Sequence, residues 1–168
     1  MSINEPSKSF TAEEFRSTCG LWATGVSIVT TISAAGDPYG LTMNGVTSLS
    51  LEPPMMLVCV DLNSDTLAPM TESGCFCINV LTKEQEQLSN RFAKKGTNKF
   101  ESVTWNKATT GAPVIVESLV SIDCSVNEIY DGGDHKIFCG EALSILPISE
   151  TKSPLIYFSG RYKELIET

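Results

Sequence analysis

The sequence lacks most of the features that mark metal sites, hydrolase centres and dinucleotide-binding domains. It contains one histidine, His135, which excludes His-rich metal sites. Its six cysteines include a C-x-C pair, Cys75 and Cys77, but not the paired C-x-x-C motifs of zinc ribbons. No G-x-G-x-x-G follows a strand-like segment, so the Rossmann fingerprint is missing. We therefore predict no bound metal and no Rossmann domain.

Basic residues and long apolar runs are also scarce. The 168 residues include 12 Lys and Arg against 20 Asp and Glu, a net charge of −8, so we expect no nucleic-acid partner. The longest apolar run, residues 55–60, is far shorter than the roughly 20 residues of a membrane helix. The first nine residues lack the apolar stretch of a secretory signal. We expect one domain over residues 1–168, cytoplasmic, without membrane contact and with reduced thiols.

The first half of the chain combines one clear helix with strand patterns. Thr11 and Glu14 form a capping box that starts a helix ending near residues 18–22. The β-branched run 26–32, the turn 35–38 and the segment 39–46 predict a hairpin. Residues 55–61 and 75–81 predict further strands, and a short helix to about residue 73 lies between them. A second capping box, Thr82 to Gln85, starts a helix ending near residue 92, and residues 94–103 look irregular.

The last third is dominated by strands. Residues 120–126 alternate between apolar and mostly polar side chains, which predicts a half-buried strand. Residues 131–134 predict a turn, residues 135–146 the returning strand, and residues 154–163 a final strand. Many short strands with few helices predict an all-β fold with peripheral helices, closed into a barrel.

The segment 42–54, T-M-N-G-V-T-S-L-S-L-E-P-P, carries an unusual density of small polar side chains. Such side chains are rarely needed to fill a core, but they suit hydrogen bonding to a large, flat, polar ligand. The alternative is an edge strand with a Ser/Thr-rich turn.

This segment and five others, in the same order, resemble the flavin reductase-like family, whose fold is an FMN-binding split barrel. The others are F-R-S-T-C-G-L-W-A-T-G-V-S-I-V-T-T at 15–31, F-C-I-N-V-L with L-S-N-R-F-A at 76–81 and 88–93, G-D-H at 133–135, and P-L-I-Y-F-S-G-R-Y at 154–162. The matches cover almost the whole chain, from about residue 10 to residue 165. One departure is Gly45-Val46, where many relatives carry a small polar residue or alanine and then an aromatic residue.

The resemblance implies an NAD(P)H:flavin oxidoreductase that reduces FMN or FAD with NADH or NADPH. It further implies a homodimer with the flavin near the subunit interface, and a partner flavin-dependent monooxygenase that receives the reduced flavin. Two alternatives stay open. One is a flavin-binding electron-transfer protein that does not release its flavin, and the other is a non-enzymatic split barrel that binds another planar ligand.

The resemblance also implies the site residues. Contacts to the flavin ring and ribityl chain are expected from Thr42, Met43, Asn44, Gly45, Ser48, Leu49 and Ser50. From the residues themselves, contacts to its phosphate are expected from Ser64 and Thr66, because exposed amides at the start of a helix attract an anion. Asp65 between them carries an opposing charge, and a plain helix cap explains the segment equally well. Further contacts are expected from Asn79, Val80, Gln85, Arg91 and Phe92, with Gln85 equally explained by its capping box and Arg91 able to pair with a phosphate.

His135 is expected to hydrogen-bond the nicotinamide dinucleotide. It is the one candidate for a catalytic residue, although hydride transfer requires no histidine base. The alternative is that His135 is only a turn residue, in which case Arg91, Phe92 and Tyr162 are the next places to look.

Overall fold

The computed structural model describes residues 9–96, 98–146 and 152–165. In chain order its helices and strands are α1 (Ala12–Cys19), β1 (Thr24–Gly25), β2 (Ser27–Ile32), β3 (Pro38–Met43), β4 (Val46–Leu51), β5 (Pro54–Asp61), α2 (Leu67–Ser73), β6 (Cys75–Val80), α3 (Glu86–Phe92), β7 (Trp105–Lys107), β8 (Pro113–Ile115), β9 (Val120–Gly132), β10 (His135–Leu146), β11 (Ile156–Phe158) and β12 (Arg161–Lys163). None of the helices in these ranges has the length and apolarity to cross a membrane.

A seven-stranded antiparallel sheet forms the body of the molecule, in the order β3-β2-β6-β9-β10-β5-β4. Its edge strands, β3 and β4, are consecutive in the chain and are joined through Asn44 and Gly45. The sheet is therefore curled so that its two edges meet at this link, while no ladder joins β3 to β4 in the described residues. The structure confirms the split barrel that the resemblance implies, and it corrects the closed barrel expected from strand number alone.

Two apolar clusters lie on opposite faces of the central strands. Val29, Phe76 and Phe138 belong to the main cluster on the inner face. Ile28 and Phe92 belong to a second cluster, where α3 and β8 pack against the sheet. Because neighbouring residues of β2 point to opposite faces, its burial on both faces explains the unbroken apolar and β-branched run that marks it in the sequence.

Local signals predict the helix starts well. The capping boxes at Thr11 and Thr82 are both formed, with hydrogen bonds between each threonine and the residue three positions later. The second helix begins with a 3₁₀ turn, Lys83–Gln85, before α3. Phe10 and Phe15 stack with ring centroids 5.7 Å apart, which places a hydrophobic staple across the start of α1.

Three predicted boundaries are wrong. The strand expected over residues 39–46 ends at Met43, because Asn44 and Gly45 carry the chain from one sheet edge to the other. The turn expected over residues 131–134 is shorter, since β9 continues to Gly132 and Gly133 takes the left-handed conformation with φ of 73°. The final strand is a hairpin, β11 and β12, that turns at Ser159 and Gly160.

Strands β7 and β8 are not predicted from the sequence. Each has three residues, too few to show an alternating pattern, and they pair only with each other.

Candidate flavin site at the Asn44–Gly45 link

The link between β3 and β4 exposes polar groups at the open seam of the barrel. Asn44 is exposed, and its side chain makes no hydrogen bond with the described residues. The Gly45 carbonyl accepts a hydrogen bond of 2.9 Å from the Cys59 N–H of β5. A Cβ added at Gly45 would lie 3.3 Å from Cys59 Cβ, so glycine allows the link to lie close against β5. The Asn44 amide therefore remains available to a ligand.

The first of two clefts beside Asn44, here called the small cleft, has a volume of about 180 Å³. Thr42 lies in its wall and donates a hydrogen bond of 2.6 Å to the Ser89 carbonyl of α3. The Tyr162 hydroxyl lies 2.8 Å from Ser89 Oγ, which joins β12 to the same helix. These bonds fix the walls of the small cleft, which is lined by Val26, Thr42, Met43, Asn44, Ala93, Tyr157 and Tyr162.

The second, the large cleft, has a volume of about 490 Å³, within the range of small-molecule sites. The ring of Trp22 lies at its rim with the residue 78% exposed. Thr24 also lines it, and its buried hydroxyl oxygen has no hydrogen-bond partner in the described structure. A buried hydroxyl without a partner is costly, by about 1–3 kcal/mol. A polar ligand in this cleft would satisfy it; the lining is Cys19, Trp22, Thr24, Asn44, Gly45, Val46, Thr47, Leu57 and Cys59.

His135 lies on the same face of the sheet as the large cleft. It is paired with Asp61 of β5, two residues beyond Cys59, and cross-strand partners share a face. Strand spacing and rise place its Cα roughly 12 Å from that of Gly45. His135 Nδ1 is 2.7 Å from Asp134 Oδ1. A carboxylate there favours the proton on Nδ1 and leaves Nε2 free to contact a ligand.

The predicted residues of β4 lie apart from both clefts. Ser48 and Leu49 are exposed, and Ser50 is half-buried beyond a break in the register between Ser48 and Ser50. Within a single chain, the structure does not bring these three residues together with Asn44.

The predicted phosphate residues lie in the turn before α2. The Thr66 N–H donates to Ser64 Oγ at 3.2 Å, and α2 has no side-chain cap. Asp65 turns away to accept hydrogen bonds from Lys99 Nζ at 2.9 Å and from the Gly96 N–H at 3.0 Å. Burial raises the pKa of Asp65, but these hydrogen bonds outweigh it and hold the pKa below the usual value. The charge that opposes an anion at this turn is thus offset.

Gln85 and Arg91 line a separate cleft of about 510 Å³. The Gln85 amide accepts from the Thr82 N–H at 3.1 Å and donates to the Val116 carbonyl at 3.2 Å, so both ends of it serve the fold. Arg91 donates to the Glu101 carbonyl at 2.7 Å and is otherwise exposed.

Three predicted residues point into the protein. Asn79 is fully buried: its Oδ1 accepts from the Ile115 N–H and the Ser121 hydroxyl, each at 2.8 Å, and its Nδ2 donates to carbonyl groups that include Ile28. Phe92 is buried against Phe100, with ring centroids 4.9 Å apart. Val80 packs against the main apolar cluster. Asn79 and Phe92 have no surface to offer a ligand, so we leave them out of the flavin site.

The cleft-lining residues that the prediction missed include Trp22, Thr24 and Tyr157. The signal for the first two was present, because they fall in the W-A-T-G run at residues 22–25 that resembles the family. Among the described residues, no group of three or more His, Cys, Asp or Glu side chains is arranged to hold a metal ion.

Comparisons with known proteins identify the family of the chain. The flavin reductase like domain model matches residues 19–165. The reductase subunit HsaB of a flavin-dependent monooxygenase from Rhodococcus jostii is 39% identical over 88% of this chain and 75% of its own length. A flavin reductase (NADH) from Kitasatospora aureofaciens is 38% identical over 89% of this chain and 80% of its own. The structure of the NADH:FAD oxidoreductase SgcE6 from Streptomyces globisporus superposes with a TM-score of 0.89 and 28% identity, covering 99% of this chain and 100% of the other. The chain therefore belongs to the flavin reductase-like domain family.

Proposed function

We infer that this chain is an NAD(P)H-dependent flavin reductase that supplies reduced flavin to a partner flavin-dependent monooxygenase. Family membership supports the activity, and the reductase-subunit relative supports the partner. The observation that carries the site is the exposed Asn44 amide, which lines both clefts and has no hydrogen-bond partner in the described structure; the unsatisfied Thr24 hydroxyl is buried behind the wall of the large cleft.

We place the flavin ring along the Asn44–Gly45 link, with its polar edge on Asn44, the Gly45 backbone and Thr24. Thr42 and Met43 contact it from the small cleft, where Tyr157 and Tyr162 supply aromatic surface. When bound, flavin supplies the redox chemistry, and the protein positions it. The residues that line the site are suited to a planar heteroaromatic ligand with a polar edge.

We place the nicotinamide dinucleotide between the large cleft and His135. The role of His135 is to orient the hydride donor through its free Nε2, because hydride transfer needs no proton from histidine. Relatives named for NADH and for FAD make NADH with FAD the first pair to test.

The phosphate-bearing chain of the flavin is proposed to reach Ser64, with Arg91 as a more distant contact. Thr66 is fully buried and its hydroxyl donates to Asp65 Oδ1, and the Gln85 amide is used at both ends by the fold, so we leave both out of the site. Neutralisation of Asp65 by Lys99 makes the turn before α2 compatible with an anion. Val80 is proposed to contribute packing only.

We propose a homodimer, with Ser48, Leu49 and Ser50 contributing to a site shared between subunits. Large apolar side chains are exposed beside them, including Leu51, which is 90% exposed, and Trp22. A partner subunit would cover such surface, and two-fold closure is the commonest way to do so. Sedimentation at micromolar concentration tests this, and a fully active 18.2 kDa monomer contradicts it.

We also propose a cytoplasmic location. The six cysteines, all within the described ranges, are free thiols, which suits a reducing compartment.

The experiment that tests the function is steady-state oxidation of NADH and of NADPH with FMN and with FAD as acceptors. We expect rapid oxidation with at least one pair and release of reduced flavin that a separate oxygenase can use. Oxidation by none of the four pairs contradicts the assignment. Flavin that stays bound at one per chain through purification and turnover favours an electron-transfer protein instead.

A further inference from the structure

Ser89 of α3 is fully buried behind the small cleft and contacts three of the residues that line it. Its carbonyl accepts a hydrogen bond of 2.6 Å from the Thr42 hydroxyl and one of 3.0 Å from the Ala93 N–H. Its hydroxyl oxygen lies 2.8 Å from that of Tyr162. Ser89 itself lines neither cleft beside Asn44. A residue in this place can act on a ligand only through the groups that it holds.

The direction of the hydrogen bond between Ser89 and Tyr162 follows from a third group. The Tyr162 hydroxyl donates to Asn90 Oδ1 at 3.3 Å, and an amide oxygen can only accept. The single proton of the Tyr162 hydroxyl is therefore used, so the Ser89 hydroxyl donates to the tyrosine oxygen. Tyr162 is the sole hydrogen-bond partner of the Ser89 side chain in the described structure. The Tyr162 hydroxyl is thus held by α3 both as a donor and as an acceptor.

The main sheet does not fix the position of Tyr162. Its strand, β12, belongs to a separate three-stranded sheet with β1 and β11, whereas Thr42 lies on the edge strand β3 of the seven-stranded sheet. The Tyr162 ring packs against Tyr157 and the second apolar cluster, but apolar contacts are not directional. Ser89 hydrogen-bonds to both walls of the small cleft, with Thr42 on one side and Tyr162 on the other.

We propose that Ser89 is a positioning residue of the flavin site, which sets the separation of Thr42 and Tyr162 so that the Tyr162 ring meets the flavin ring at contact distance. This proposal rests on the proposed function. Aromatic pairs are stabilising only over a narrow range of separations and orientations. Without Ser89, the Tyr162 ring can shift, and the small cleft fits the flavin ring less well. The effect acts on the ring, so it does not depend on the flavin phosphate.

The test measures dissociation constants by fluorescence quenching for FMN and for riboflavin, which has the same ring and no phosphate. The variants are Ser89→Ala, Tyr162→Phe, which keeps the ring and removes the hydroxyl, and the double variant. We expect each single variant to raise both constants about fivefold, as for the loss of one hydrogen bond. The double variant should raise them no further, because it removes the same bond; independent effects would multiply to about 25-fold.

Ser73→Ala is the matched control. Ser73 is a half-buried serine of α2 whose hydroxyl oxygen lies 2.8 Å from that of Thr31, and it lines neither cleft beside Asn44. This substitution should lower the melting temperature of the flavin-free protein without changing either dissociation constant.

The visible circular dichroism band of bound FMN gives a second measurement, because it reports how the flavin ring lies against its surroundings. At saturating FMN we expect this band to change in Ser89→Ala and in Tyr162→Phe. We expect it to keep its wild-type shape in Ser73→Ala, since a general loss of stability leaves the bound ring where it is.

Wild-type constants and a wild-type band in both Ser89→Ala and Tyr162→Phe overturn the proposal. Losses that multiply in the double variant also overturn it, as does a loss for FMN without one for riboflavin. Where Ser89→Ala does not fold, Tyr162→Phe carries the test through the same constants and the same band. A wild type that binds neither flavin and oxidises no NAD(P)H is a different result: it contradicts the proposed function itself, and the proposal falls with it.

Discussion

Asn44 and Asn79 are the same residue type, and both were expected to bind the cofactor, yet the structure puts them in opposite environments. Asn79 is fully buried, with its amide engaged on both sides by β2, β8 and β9. Asn44 is exposed at the barrel seam and has no hydrogen-bond partner in the described structure. A saturated polar side chain serves the fold, whereas an unsatisfied one at a cleft is available to a ligand.

The comparison also corrects a premise of the sequence analysis. Small polar side chains were expected to be rare in the core, but the buried network around Asn79 includes Thr30 and Ser121. The physical reason is that β8 has three residues and pairs only with β7, so backbone groups such as the Ile115 N–H and the Pro113 carbonyl are bonded by side chains and not by a second ladder. Asn79 and Thr30 satisfy them.

The largest expected effect is on stability, from a substitution of the buried Asn79. Asn79→Ala should lower the free energy of unfolding by about 3–5 kcal/mol, because it leaves several buried donors and acceptors unpaired. Urea denaturation measures this. Asn127→Ala, which removes one exposed hydrogen bond to the Glu141 N–H, is the control and should cost about 1 kcal/mol. An Asn79→Ala variant that is as stable as the wild type but has lost flavin binding would contradict our assignment of Asn79 to the fold.

Asn44→Ala should produce the opposite pattern. Flavin binding should weaken by about 1–3 kcal/mol, while the free energy of unfolding stays within about 0.5 kcal/mol of the wild type. Fluorescence titration and urea denaturation of the same preparation separate the two quantities. Asn106→Ala, at an exposed position on β7, should change neither. An unchanged flavin constant in Asn44→Ala removes this residue from the site.

His135→Ala sharpens the comparison within the exposed region, by separating the donor site from the flavin site. The value of kcat/KM for NAD(P)H should fall roughly tenfold to a hundredfold through loss of one hydrogen bond to the donor. Flavin affinity should change little. Stopped-flow reduction of bound flavin at varied nicotinamide concentration measures this. Wild-type rates with wild-type concentration dependence would make His135 a turn residue only.

The smallest expected effect concerns Thr24, which combines the two environments: its hydroxyl is buried and unsatisfied. Thr24→Val should weaken flavin binding by about 1 kcal/mol and raise the stability of the flavin-free protein by up to about 1 kcal/mol. Thr30→Val, which removes a buried hydroxyl bonded to the Cys77 and Pro113 carbonyls, is the matched control and should destabilise by about 1–2 kcal/mol without affecting flavin. Destabilisation of the flavin-free protein by Thr24→Val would show that its hydroxyl is already satisfied.

Much of the fold could be predicted from the sequence, because its signals are local. The capping boxes involve residues three positions apart, and strands such as β2 and β5 are recognisable from their own composition. Boundaries were less certain where the chain changes direction, as at Asn44–Gly45 and Ser159–Gly160. A turn of two residues inside an otherwise strand-like run changes the local composition too little to be recognised.

The site could be predicted only in part. The segment 42–54 contains the Asn44–Gly45 link, but the link was not predicted because a strand was expected through residue 46. The W-A-T-G run contained Trp22 and Thr24 without showing that they line the same cleft. Phe92 and Asn79 were wrongly assigned to the flavin site. Periodicity shows which face of a strand or helix a residue occupies, but not what covers that face.

By itself, the sequence determined the type of most elements, the two capping boxes and the family, and it indicated the segment where we propose the flavin site. Only the tertiary structure decided which polar side chains are saturated and which remain free. Asn79 meets Ile115 and Ser121 across 36 and 42 residues, and Lys99 meets Asp65 across 34. Hydrogen bonds over such separations depend on how the sheet curls and on what packs against it, and no local pattern of residues encodes them.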